Sequence, residues 1–350
     1  MTAIEVAPED AQRAFRNCLY FYTDPGGIYL VNGKLAVGNL CTDFFRFHEI
    51  TQGNRLHALF METLMQCASR GLYSVMSGTS IFVSKMCIAD YDVINRLTQK
   101  DHIANQLNTW NRNVDSDSPS KLPWVFSIIP EGFHPLCEAQ TFSEKTPASF
   151  KEFAQQHRRP PSSIISPCGS QVPLHGMMEM LAVGRALADL QTIGKNCNSA
   201  GFVWEKDDHG NIIAARCVKI CFDKILMVDP KNYGMNLDYR TSKQTGAPPR
   251  WLKDLKNIQA GHADQDMVFE WDKLSDSQRV VFLETLSCIT GPDRRALGKF
   301  HLETDLLNRR EFPDIYKGFP ADAIDGVVED WFSWMDLQRE IYEIDPKPSE

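Results

Sequence analysis

The sequence predicts a two-lobed α+β fold with a mixed amino-terminal lobe and a helix-rich carboxyl-terminal lobe. Three observations carry this expectation. β-forming segments with turn signals concentrate in the first third; a short apolar strand, PWVFSIIPEGF, follows the polar break SDSPSK; and the remainder is helical in period apart from one inserted hairpin. The expected boundaries are 1–125 for the amino-terminal lobe, 126–170 for a hinge strand with a Pro/Ser-rich connection, and 171–350 for the helical lobe.

Taken in order, residues 1–20 show helical periodicity. In YFYTDPGGIYLVNGKLAVGNL, the Pro-Gly-Gly and Asn-Gly turn signals between β-formers predict a hairpin. RLHALFMETLMQCASRG follows as a helix, since Leu56, Leu59, Phe60, Leu64 and Met65 make one apolar stripe. Residues 71–91 read as strand-like, with Lys85 in SIFVSKMC, before a helix around 92–97. Ser127 lies on the apolar strand closed by Pro130. Residues 143–170, rich in Pro, Ser and charge, predict a flexible insertion or connection. A long helix is expected from Leu174, then a loop containing Asp189, Asn198 and Gly194, then the two strands of FVWEKDDHGNIIAARCVKI. SDSQRVVFLETLSCI and DGVVEDWFSWMDLQREIY are amphipathic helices, and the Trp331, Phe332, Trp334 and Met335 stripe of the second is expected to be core.

Composition excludes several classes. The chain has 350 residues, 43% hydrophobic and 23% charged, which is the composition of a globular protein long enough for one large bilobal unit. A formal charge of −8, with no basic stripe, argues against a nucleic-acid partner. No run approaches the ~20 apolar residues that cross a bilayer. The start MTAIEVAPEDAQRAF lacks the apolar core of a secretory signal peptide, so a cytoplasmic protein is expected. The ten cysteines contain no Cys-x-x-Cys pair and sit mostly in apolar company, which predicts reduced core residues and no structural zinc.

The block GRALADLQTIGKNCNSAGFVWEKDDHGNIIAARCVKI, with LKNIQAGHADQDMVFEWDKLSDSQRVVFLETL after it, resembles the carboxyl-terminal lobe core of kinase-like effector proteins of Legionella and related intracellular bacteria. The resemblance spans residues 120–289 and is clearest over 184–289. It implies a two-lobed kinase-like fold, ATP and Mg²⁺ as cofactors, a host protein as substrate or partner, and work in a host cytosol after translocation. Residue by residue, the catalytic-loop Asp of that group falls on Asp189 and its downstream Asn, a metal ligand, on Asn198. Phosphoryl transfer needs such a carboxylate to take the hydroxyl proton, and an Asn and an Asp to hold Mg²⁺ on the phosphates. Lys85 takes the place of the strand lysine that contacts phosphate oxygens.

This chain also departs from the pattern. Cys221 stands where the metal-binding Asp is expected, and a thiol is a poor ligand for a hard cation. Asp223 lies two residues on, on the same face of a strand, as a substitute metal ligand. Gln191 replaces the second Asp of the loop. Asn95, with Asp92 nearby, stands where the carboxylate partner of Lys85 is expected. A degenerate, non-catalytic binding module is therefore expected beside the divergent phosphotransferase.

Two further constellations carry chemistry. In LHGMMEM, His175 and Glu179 stand at i, i+4, one turn apart on the expected helix, as a general base held by a carboxylate. With Ser127 binding the nucleotide, they would suit AMP transfer. On one continuous helix, His175 and Asp189 would lie about 21 Å apart, too far for a shared active centre. In SPCGSQVPLHG, Cys168 precedes His175 by seven residues, and a nearby imidazole would activate its thiol.

Overall fold

The computed structural model of the chain describes residues 3–5, 27–31, 34–40, 55–90, 123–189, 191–194, 197, 199–222, 225–226, 256–261, 267–307 and 321–344. Over these residues the protein is mixed α/β, with six α-helices. Asp92, Asn95, Asn198 and Asp223 lie outside the described residues.

The first sheet is antiparallel. Strand β1 (Ala3–Glu5) lies on β2 (Gly27–Val31), which forms the expected hairpin with β3 (Lys34–Leu40). Residues 3–5 are thus strand rather than helix, because they take up the free edge of β2. Helix α1 (Arg55–Ser77) then runs through 71–77, where strand was expected. From Met61 to Tyr73 it is buried nearly all round, with Glu62, Thr63, Gln66 and Ser69 among the apolar side chains, and a helix covered on every side belongs in a core. Two strands follow without a break: β4 (Phe82–Val83) and β5 (Lys85–Asp90). Strand β5 pairs with β6 (Pro123–Ile128) in the first sheet, in the order β1-β2-β3-β6-β5. Strand β4 belongs to the second sheet. Between them, Ser84 N–H donates to Lys219 O at 3.0 Å and Arg70 Nε donates to Ser84 O at 2.7 Å, so one buried serine joins the two sheets.

Residues 133–175 are ordered structure. Strand β7 (Phe133–Pro135) leads to a 3-10 turn at Leu136–Glu138 and the pair β8 (Gln140–Ser143) and β9 (Thr146–Ser149). Helix α2 (Phe150–His157) follows, so regular elements stand in 143–170, where a flexible insertion or connection was expected. The reason is local and legible: Ser149 and Glu152 form a reciprocal capping box, and Phe150, Phe153 and Ala154 are buried. Strands β10 (Ser163–Ile165) and β11 (Gln171–His175) then form a hairpin.

The helix expected from Leu174 begins later. In β11, Val172 and Leu174 are buried while Gln171, Pro173 and His175 are exposed, which is a strand alternation. Gly176, at φ 82°, ends the strand in a left-handed conformation, and α3 (Met177–Ala186) starts after it. Strands β12 (Ala200–Lys206) and β13 (Ile212–Lys219) make the expected hairpin around an Asp207 turn, whose carboxylate accepts from the N–H groups of His209 and Asn211. The second sheet runs β10-β11-β13-β12-β7, with β11 and β4 both parallel to β13 along one of its sides.

After the short pair β14 (Ile258–Gln259) and β15 (Val268–Phe269), three helices complete the fold: α4 (Asp276–Thr290), α5 (Pro292–Leu307) and α6 (Ala321–Ile341). Helix α3 packs against α4, and α1 against α5, so the helix of the amino-terminal third shares the core of the later helices. Helix α6 closes the end of α3: Trp331 Nε1 donates to Ala186 O at 3.1 Å and Trp334 Nε1 to Arg185 O at 2.6 Å. Helix-terminal carbonyls lack intrahelical partners, and these indoles supply them from another element. Trp331 and Met335 are fully buried in the core as expected, while Phe332 and Trp334 are half-buried against it. Substitution Trp331→Phe keeps most of the apolar body and strands the Ala186 carbonyl. It should lower the unfolding free energy by about 1–3 kcal/mol, read from urea denaturation.

Candidate functional site

Helix α3 ends at Ala186 with Leu187 as its cap, and Ala188 takes a left-handed φ of 48°, turning the chain so that Asp189 comes back to the helix. The Asp189 N–H donates to Gly184 O at 2.8 Å, and Asp189 Oδ1 accepts the Gln191 N–H at 2.9 Å. Gly184 has no side chain to spare here, since a Cβ would overlap Thr192. From the last residue of β13, Lys219 reaches the same turn. Its Nζ stands 2.8 Å from Asp189 Oδ2 and donates to Gln191 O at 2.8 Å and Thr192 O at 3.0 Å. The ion pair is held by charge rather than by an aligned hydrogen bond to Oδ2. Side-chain exposure is 0% for Lys219 and 1% for Asp189, so both charges are out of water.

This geometry fixes what Asp189 can do. Its carboxylate is neutralised by an ammonium and shielded from solvent, and the lysine that neutralises it also organises the loop. The nearby Tyr73 hydroxyl donates to Met180 O at 3.0 Å, and its pKa is raised by burial and then by the Asp189 charge. Cys221 is half-buried, with its N–H on Ser199 O at 3.4 Å. Lys85 is the first residue of β5, paired with Ile128. Among the described residues the donors for Mg²⁺ do not fit: Asp189 is spent on Lys219, Cys221 is a soft ligand, and no group of three metal-ligating side chains is present.

A second centre lies on one face of the second sheet, across β11, β13 and β12. His175 on β11 is in register with Arg216 on β13, which faces Val203 on β12, two residues before Glu205. The period of two puts His175, Arg216 and Glu205 on one face. His175 Nδ1 lies 2.9 Å from Glu205 Oε2, while Glu205 Oε1 accepts from Arg216 Nε at 2.6 Å, with Nη2 at 2.5 Å. Arg216 Nη1 donates to Thr79 O at 3.0 Å. Burial on its own raises the Glu205 carboxyl, but the Arg216 and His175 contacts hold it below its ordinary value.

The pairing read from the sequence is thereby corrected. His175 ends a strand, Glu179 sits in the first turn of α3, and the carboxylate that holds His175 is Glu205. The continuous helix from His175 to Asp189 does not exist either, because Gly176 and Ala188 break it at both ends. His175 and Glu179 nevertheless line one open cavity of about 400 Å³, with Ser80, Ser162, Arg216 and Gln278 on its walls. Ser127 is not among its lining residues: it is buried in β6, between Val37 and Met86 of the first sheet.

Cys168 occupies the turn between β10 and β11, and the length of β11, about 13 Å at strand rise, separates that turn from His175. The structure does not bring this thiol and imidazole together. Hydrogen bonds with Ser166 at 2.9 Å and Ser170 at 3.4 Å, not a histidine, bring the exposed Cys168 thiol down to about 7. Burial pushes the Cys197 thiol up to about 12 and raises that of Cys217 also. No protein-family model matches the chain, and no curated protein matches it either.

Lys219, Glu205 and Arg216 carry both centres and were not singled out by sequence reasoning. The signal available was the alternation of FVWEK and ARCVK, which places charged residues at intervals along two strands. Substitution Lys219→Met leaves a buried carboxylate without a partner and should cost about 3–5 kcal/mol in chemical denaturation, much of it recovered in Lys219→Met/Asp189→Leu. With iodoacetamide at pH 7, peptide mapping should find Cys168 alkylated well before Cys197 or Cys217, because the thiolate is the nucleophile.

Proposed function

We propose that this chain is a degenerate kinase-like effector, a two-lobed kinase-like protein that binds a host protein without transferring phosphate to it. One observation carries the reading: Asp189, which the resemblance assigns to proton transfer, is locked in a buried ion pair with Lys219. A general base must come within hydrogen-bond reach of the hydroxyl it deprotonates. Here the carboxylate is occupied by an ammonium, and the same ammonium holds the Gln191 and Thr192 carbonyls, so freeing it would undo the loop. Cys221 and Gln191 point the same way, since each replaces a carboxylate that the pattern uses. In this reading the loop survives as a structural clamp, and the chain works in the cytosol of a host cell through the protein it binds.

The AMP-transfer alternative loses its support in two places: Ser127 does not line the His175 cavity, and Glu179 is not the partner of His175.

The test is a melting-temperature titration with ATP, with and without Mg²⁺, beside an assay for phosphate incorporation from labelled ATP. A ligand at 100 times its Kd stabilises a native state by about 2.7 kcal/mol, which is visible as a shift. The expected result is no Mg²⁺-dependent shift at millimolar ATP and no phosphate transferred. A Mg²⁺-dependent rise accompanied by incorporation would overturn the proposal.

A further inference from the structure

We propose that the cleft between the carboxyl end of β11 and the first turn of α3 binds an organic cation, an ammonium or guanidinium group. Glu179 supplies the counter-charge and His175 Nε2 a second acceptor. The inference concerns a site apart from the Asp189 loop and does not rest on the reading above.

The tautomer of His175 follows from its partner. An ionised carboxylate only accepts, so Nδ1 carries the hydrogen toward Glu205, and in the neutral imidazole Nε2 presents a lone pair. The His175 side chain is 51% exposed and lines the cavity, so the ring is within reach of a ligand. Glu179 lines the same cavity, and among the described residues it accepts no hydrogen bond and joins no ion pair. Nε2 of the neutral ring and Glu179 are therefore open acceptors, beside the Ser80 and Ser162 hydroxyls, which either donate or accept.

The charges favour a cation. Arg216 also lines the cleft, but its Nε and Nη2 are on Glu205 and its Nη1 is on the Thr79 carbonyl, so its charge is matched. The amino end of α3 contributes about half a positive charge, and the full negative charge of Glu179 exceeds it. Apart from the His175 ring, the balance of these groups is about half a unit negative.

Shape agrees with a small ligand or a single side chain. The cavity of about 400 Å³ lies within the range of roughly 300–1,000 Å³ typical of ligand pockets, and Leu174, Met178 and Val281 add apolar wall. Gly176 makes the wall possible: a Cβ there would lie 2.6 Å from Ser80 O and 2.7 Å from Ile81 Cγ2.

The cation has two sources, a free small molecule or an arginine or lysine side chain of a protein, and the test separates them. The full chain is labelled with ¹⁵N-histidine; of its nine histidines, His175 is assigned by its loss in His175→Gln. N-acetyl-arginine amide, its uncharged citrulline isostere, and acetyl-Gly-Gly-Arg-Gly-Gly-amide are titrated in turn. The expected result is a saturable shift of the His175 ring nitrogens with the two cations and none with the isostere. Glu179→Gln, with its melting temperature unchanged, should weaken binding about tenfold or more, the scale of one charge-assisted contact. Tighter binding of the peptide identifies a protein side chain as the source; equal or weaker binding identifies a free cation. Equal binding of the isostere, unchanged binding in Glu179→Gln, or no shift with millimolar cation would each overturn the proposal.

Discussion

Between the end of α3 and the end of β13, a lysine ammonium and an aspartate carboxylate meet out of water, and two backbone carbonyls share the lysine. Burying either charge alone costs several kcal/mol, so each holds the other in place. The constraint spreads because Lys219 is also a β-strand residue: its N–H and carbonyl belong to β13 and its neighbours, and its carbonyl takes the Ser84 N–H where the chain crosses between the sheets. One side chain thus ties a helix end, a loop, a hairpin and the junction of two sheets. A residue so committed is poorly placed to take part in chemistry that requires movement or exposure.

The helix above this pair is fixed from the opposite side. Helix α3 is buried along its length, and its last carbonyls are met by the indoles of α6, far along the chain. The orientation of α3 fixes its first turn as well, where Gly176 brings 80–81 close and Glu179 onto the cavity wall. The ordered core and the open cleft are therefore two ends of one rigid element.

Local signals in the sequence were good guides wherever they rested on turn chemistry or on long amphipathic stripes. Asn-Gly marked the first hairpin, and the stripes of α4 and α6 marked those helices. The capping box of α2 was present in SFKE, yet the surrounding prolines and charges outweighed it in a compositional reading. The stretch 171–189 was misread because VPLHGMMEM satisfies both periods for a few residues, and only the left-handed Gly176 decides where strand becomes helix.

The sequence by itself determined the hairpins β2–β3 and β12–β13, the helices α4 and α6 and the altered loop, because these depend on neighbours within one or two turns. Tertiary structure alone decided the partners of the charged residues. Asp189 finds Lys219 thirty residues away, and His175 finds Glu205 at the same separation across two strand pairings. Electrostatic pairing acts over a few ångströms of space and carries no mark in chain order. The choice between Glu179 and Glu205 for His175 was settled by sheet register, which the spacing of residues along the chain does not encode.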